Sequence, residues 1–174
     1  MRSRIIRCIF TVILSVLLAG CSLSLPPPGA DTLLSVFSGV FTCAFTARDS
    51  TGEHAVILCR DAAGDTFTVR GQSGNAVLVY TGGSWYLTAR GSETEAPLSI
   101  PVPLCQSSGA AAWRQLFSQL PDETCRVTRC AEGLLVTDTD GAFSAVFSED
   151  GIPLRLSDGT ASAEITSFTI TPAQ

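Results

Sequence analysis

The sequence predicts a mainly β fold, a curved antiparallel sheet with one amphipathic helix packed on it or capping it. Three observations carry this. Apolar and polar residues alternate with period two through most of the chain, tight-turn signals recur at about ten-residue intervals, and a single stretch has apolar residues spaced three and four apart.

From Val36 to Ala47 the odd positions Phe37, Phe41, Cys43 and Phe45 alternate with Ser38, Thr42 and Thr46, the pattern of a half-buried strand. Asp49-Ser50-Thr51-Gly52 turns the chain into a second apolar run, Ala55 to Cys59. Strands follow at Thr66 to Arg70, Ala76 to Tyr80 and Trp85 to Ala89, separated by turns at Gly64, Gly71 to Gly74 and Gly82-Gly83. This is a meander. The carboxyl-terminal third repeats it with Leu134 to Thr137, Ala142 to Phe147, Pro153 to Leu156 and Ala161 to Ile170. Asp140-Gly141, Asp150-Gly151 and Asp158-Gly159 punctuate these runs, and Asp-Gly pairs accept the positive backbone angles of hairpin turns.

Between the two sets of hairpins the pattern changes. Pro97, Pro101 and Pro103 cannot donate ladder hydrogen bonds, so this piece reads as a crossing segment or a sheet edge. Ser108 reads as a helix cap, and from Ala110 to Leu120 the residues Trp113, Leu116, Phe117 and Leu120 share one face of a helix that Pro121 ends. That face either packs on the sheet or acts as a movable lid. Val56 to Leu58 and Val77 to Val79 are apolar on both faces. Either the sheet is covered on both sides, or it curves so that its concave face lines an apolar cavity.

The amino-terminal segment has the parts of an export signal: Arg2, Arg4 and Arg7, an apolar stretch from Ile9 to Leu18, and small residues at the cut. The apolar stretch is about half the roughly 20 residues a spanning helix needs. Leu18-Ala19-Gly20-Cys21 resembles the lipobox of bacterial lipoproteins. That resemblance implies that Cys21 becomes the first mature residue and carries acyl chains, as diacylglycerol and palmitate, through its sulfur and amino group. Two or more chains give a stable anchor where one is marginal. The expected location is therefore the extracytoplasmic face of the cell membrane. Residues 1–20 are read as the lipoprotein signal peptide, 21–34 as the lipidated Cys with a tether stiffened by Pro26-Pro27-Pro28, and 35–174 as a single β-rich domain.

All 11 basic residues are Arg, against 16 Asp and Glu; without residues 1–20 eight Arg remain, for a formal charge of −8. Such a surface repels phosphate backbones, so no nucleic acid is expected as a partner.

The Phe-rich opening strand, GNAVLVYTGGSWYL at mid-chain and the closing AFSAVFSEDGIPLRLSDGTASAEITSFTIT give an element order similar to the lipoprotein carriers of the LolA and LolB type. The resemblance covers most of residues 35–172 and implies a half-open antiparallel barrel, helices over its mouth, and acyl chains or lipids held inside. Such carriers begin with a longer helix and have more than one lid helix, whereas one helix is evident in this sequence. Strand and helix phase alone selects the candidate cavity lining: Phe37, Phe41, Phe45, Ile57, Trp85, Trp113 and Phe117.

Enzyme chemistry finds little support in the sequence. His54 is the only histidine and sits beside a turn, where a solvated side chain is expected; a multi-His metal site is ruled out, and no nucleophile elbow or phosphate loop occurs. Asp138-Thr139-Asp140-Gly141 lacks the further ligands of a calcium loop. No catalytic residue, metal or cofactor is expected. Of the cysteines, Cys43 and Cys59 are read as facing each other on neighbouring strands, able to form a disulfide outside the cytoplasm or to stay buried as reduced thiols. Cys125 and Cys130 are too far apart along a strand to bond each other, and either can pair with Cys105. Two functions follow: a membrane-anchored lipoprotein that binds a lipid or another apolar ligand in its curved sheet, or a non-enzymatic interaction module with a filled core that contacts another envelope protein.

Overall fold

The computed structural model describes residues 26–71, 74–89, 98–101, 109–118, 120 and 125–171. Cys21, Cys105, the proposed cap Ser108, and Pro97, Pro103 and Pro121 lie outside the described residues.

A short helix α1 (Ala30–Leu34) and a 3-10 turn (Ser35–Phe37) lead into the sheet. The strands are β1 (Phe41–Asp49), β2 (Gly52–Asp61), β3 (Gly64–Gly71), β4 (Gly74–Thr81), β5 (Ser84–Ala89), β6 (Leu98–Pro101), β7 (Arg126–Cys130), β8 (Gly133–Thr137), β9 (Ser144–Phe147), β10 (Pro153–Ser157) and β11 (Ser162–Ile170). A second helix, α2 (Gly109–Ser118), separates β6 from β7. All pairings are antiparallel, and the spatial order is β6-β5-β4-β3-β2-β1-β11-β10-β9-β8-β7. Two meanders are thus joined through β1 and β11, and the curved sheet does not close into a barrel. β6 and β7 stand at opposite edges. The helix α2, between them in sequence, lies against the central strands β1 and β11.

The turns follow from the residues supplied. Gly141, Gly151 and Gly159 all take positive φ, as the Asp-Gly pairs predict. Gly64 and Gly133 hold equivalent places in the two meanders, each opening a strand after a two-residue turn with φ near +140°. A side chain on Gly64 would strike the Tyr80 carbonyl, and one on Gly133 the Phe147 carbonyl, so only glycine lets the neighbouring strand approach.

Register assigns every side chain to a face. Cys43, Leu58, Phe67 and Leu78 form one inward row, Phe45, Val56 and Val69 a second, and Phe41, Arg60, Asp65, Tyr80 and Trp85 a third. Leu33, Leu34 and Phe37 from the amino-terminal segment and Ala110, Trp113, Leu116 and Phe117 from α2 complete the core on this face. Each large side chain buried here contributes about 1.5–3 kcal/mol.

Three sequence expectations are corrected. Phe37 belongs to the 3-10 turn, so β1 starts at Phe41 and not at Val36, and the packed domain begins at Ala30 because Leu33 and Leu34, assigned to the tether, are buried. Ile57 does not share a face with the other predicted lining residues. It follows Val56, which points inward, and so points outward, 40% exposed. Cys43 and Cys59 are not opposed either. The two-residue turn Ser50-Thr51 pairs Asp49 with Gly52, which sets Cys43 against Leu58 and Thr42 against Cys59. A one-residue slip exchanges faces. Cys43 is therefore inside and Cys59 outside, and both thiols are free.

Candidate functional site

Six of the seven predicted lining residues do come together, but as packed core. The Phe37 ring lies 6.0 Å from that of Phe41 and 5.7 Å from that of Phe117, and Phe45 and Phe117 are 5.1 Å apart. Phe37, Phe41, Phe45, Trp113 and Phe117 are all buried. Trp85 packs less deeply, against Phe67 at 5.6 Å and Tyr80 at 5.2 Å. Edge-on and tilted ring pairs at these separations add to the stabilisation from burial. The inner face is occupied by the chain's own helix and turn.

The sheet grips α2 at both ends with charges that suit a helix dipole. At the start of α2, the Trp113 indole N–H donates to Asp49 Oδ2 at 2.8 Å, and a β-carbon on Gly109 would sit 2.5 Å from the same oxygen. Burial pushes the Asp49 carboxyl up. The Thr51 hydroxyl and N–H, the Trp113 indole and nearby His54 outweigh burial, so its pKa falls below the ordinary 3.8.

At the far end, Arg60 donates to the carbonyls of Phe37 and Phe117, both at 3.0 Å, and to Ser118 Oγ at 2.7 Å. It also forms a two-pronged pair with Asp65, Nε to Oδ1 at 2.6 Å and Nη2 to Oδ2 at 3.0 Å. Asp65 is the buried charged residue of the core, 4% exposed, and a paired guanidinium is what makes that burial tolerable. Arg114 adds a second cation, with Nε 3.4 Å from Asp65 Oδ2 and its guanidinium 3.6 Å from the centre of the Tyr80 ring. Arg60 thus ties the amino-terminal turn, α2 and the β2-β3 hairpin.

His54 differs from the solvated side chain expected. It points inward from β2, half-buried, its ring 5.4 Å from Trp113 and Nε2 2.9 Å from Thr51 Oγ1. Thr51 donates its own hydroxyl to Asp49 Oδ1 at 2.5 Å, so Nε2 is the donor to Thr51. Thr51, which gives both its N–H and its hydroxyl to Asp49 Oδ1, braces the turn between β1 and β2.

The outer face carries a groove over the central strands, about 290 Å³ in volume. Its floor is Ala44, Ala55 and Ile57; Thr46, Thr68, Thr166 and Arg70 stand around it. Two physical causes make it. Alanines at neighbouring positions leave a dent between β-branched residues, and a bulge between β1 and β11 at Ala44/Phe45 twists the sheet locally. Thr166, at the bulge, donates its hydroxyl to the Ala44 carbonyl at 3.0 Å. Sequence reasoning found Ile57 but gave it to the wrong face and missed the rest. The available signal was the break in alternation at Val56 to Leu58, which marks a strand with apolar groups on both sides.

Among the described residues, no cluster of His, Cys, Asp and Glu is arranged to hold a metal ion, and no helix is long and apolar enough to cross a membrane. The chain matches no protein-family model and no curated protein sequence.

Proposed function

We propose that this chain is an extracytoplasmic lipoprotein, held to a membrane by acyl groups on Cys21, whose domain works without catalysis as a binding module through its outer surface. The observation that carries the second half is the filled inner face. A carrier of the LolA and LolB kind needs space there, and in this chain Phe37, Trp113, Leu116 and Phe117 occupy it. Making room would expose these side chains and break the contacts of Asp49 and Arg60 with α2. The anchoring half rests on the Leu18-Ala19-Gly20-Cys21 sequence and the basic and apolar residues before it.

The two halves are tested separately. Cells expressing the full chain and fed labelled palmitate should incorporate label that Cys21→Ser abolishes, with loss of the protein from the membrane fraction. Retention of label and membrane binding by Cys21→Ser would remove the anchor. Native mass spectrometry of the membrane-extracted protein should show no lipid whose retention depends on Phe117. A stoichiometric lipid released by Phe117→Trp would restore the carrier.

A further inference from the structure

We infer that the outer groove over β1, β2 and β3 is a binding site for a single-chain carboxylate amphiphile, with Arg70 taking the carboxylate and the floor of Ala44, Ala55 and Ile57 taking the chain. This deepens the binding-module reading and rests on it.

The charge pattern points to the head group. The chain carries five more acidic than basic residues, yet no acidic residue lines this groove and its one charged side chain is Arg70. Arg70 has no ion-pair partner among the described residues, whereas Arg48, on the same outer face, is engaged by Glu53 at 2.9 Å and Glu164 at 3.9 Å. A guanidinium without a carboxylate partner among the described residues, beside an apolar floor, is suited to an anion with an apolar body.

Geometry points to the rest of the ligand. In register, Arg70 is opposite Ala55, Ala55 is opposite Thr46, and Ala44 is opposite Ile57. The groove therefore runs from Arg70 on β3 across β2 and β1 to Thr166 on β11, three strand spacings or about 14 Å. That length takes a medium chain lying across the strands. The volume of about 290 Å³ lies just under the usual range of ligand pockets, which begins near 300 Å³, and suits one chain better than the two of a bilayer lipid. Ile57, 40% exposed, is the apolar surface the chain would cover.

The test uses membranes from cells expressing the full chain and a photoreactive diazirine analogue of decanoate, with labelled residues mapped by peptide mass spectrometry. Label is expected on the peptides that carry Ala44, Ala55 and Ile57, and excess decanoate should displace it. Arg70→Gln should lower labelling roughly five- to tenfold, equivalent to about 1–1.4 kcal/mol of binding free energy. Ala55→Leu, which fills the groove without touching the core, should do the same. The uncharged decanol analogue should label weakly. Labelling unchanged in both variants would overturn the proposal, as would label centred on the α2 peptide with Trp113, which also returns the site to the interior. Equal labelling of the groove by a photoreactive phosphatidylcholine would make this face a bilayer contact and overturn it as well. Failure of the anchor is read independently: Cys21→Ser then stays on the membrane, while groove labelling by the decanoate probe still depends on Arg70.

Discussion

The two faces of β1, β2 and β3 are built from one backbone and differ in almost everything else. Inward, the rows Cys43-Leu58-Phe67 and Phe45-Val56-Val69 meet α2 and the amino-terminal turn, and their side chains are buried or nearly so. Outward, one residue along, the rows Ala44-Ile57-Thr68 and Thr46-Ala55-Arg70 are, Arg70 apart, small or β-branched and leave a groove. The period of two makes this separation possible, since any side chain on one face is invisible to the other. Solid packing on the inner side leaves the groove of the outer side as the open concave surface of these strands.

The difference is sharpest for a truncation made on each face. Phe117→Ala removes a fully buried ring that touches Phe37, Phe41 and Phe45, and should cost about 3–5 kcal/mol of unfolding free energy. Ile57→Ala, on the exposed face, should cost no more than about 0.5 kcal/mol. Urea unfolding followed by tryptophan fluorescence measures both. Similar losses for the two would mean that the outer face is also packed and that the groove is part of the core.

Ion pairs offer a second contrast of smaller size. Arg60→Leu leaves Asp65 buried with only the longer Arg114 contact and frees the carbonyls of Phe37 and Phe117, so a loss of about 3 kcal/mol is expected. Arg48→Leu removes exposed pairs with Glu53 and Glu164 and should change stability by about 0–1 kcal/mol, less still in high salt. A mild Arg60 variant would show that α2 is held by its apolar face alone.

Much of the sheet was legible because its signals are local. Alternation along Phe41 to Ala47, the Asp-Gly turns and the three-four spacing of Trp113, Leu116 and Phe117 each report on a few consecutive residues, and each corresponds to an observed element. What was not legible depends on long-range placement. Nothing in the sequence near Phe41 announces that β1 pairs with β11, more than 100 residues away, and joins the two meanders. Nor does an Arg in an exposed-looking run at Cys59-Arg60-Asp61 reveal that it reaches the last turn of α2. The groove was hidden for a similar reason, since it arises from residues on four strands and a bulge that only pairing defines.

The thiols make the finest test of the register, because Cys43 and Cys59 differ by a single residue from being partners. Burial pushes the Cys43 thiol up from 9.0 to about 12, so at neutral pH it is a protonated, inaccessible group. In the native protein a thiol reagent should modify Cys59 and Cys130, which are exposed, and reach Cys43 only on unfolding. The linkage has a definite sign. The unfolded chain gives up the Cys43 proton above pH 9.0, whereas the folded chain keeps it to about 12, so the contribution of this thiol to stability is complete below pH 9.0 and declines as pH rises toward 12. Cys43→Ala should flatten that alkaline decline. If instead Cys59 were the thiol protected from the reagent until unfolding, or if the two thiols crosslinked on mild oxidation of the native protein, β1 and β2 would be paired one residue away from the Cys43–Leu58 register, and the assignment of Ile57 and Ala44 to the outer groove would fall with it.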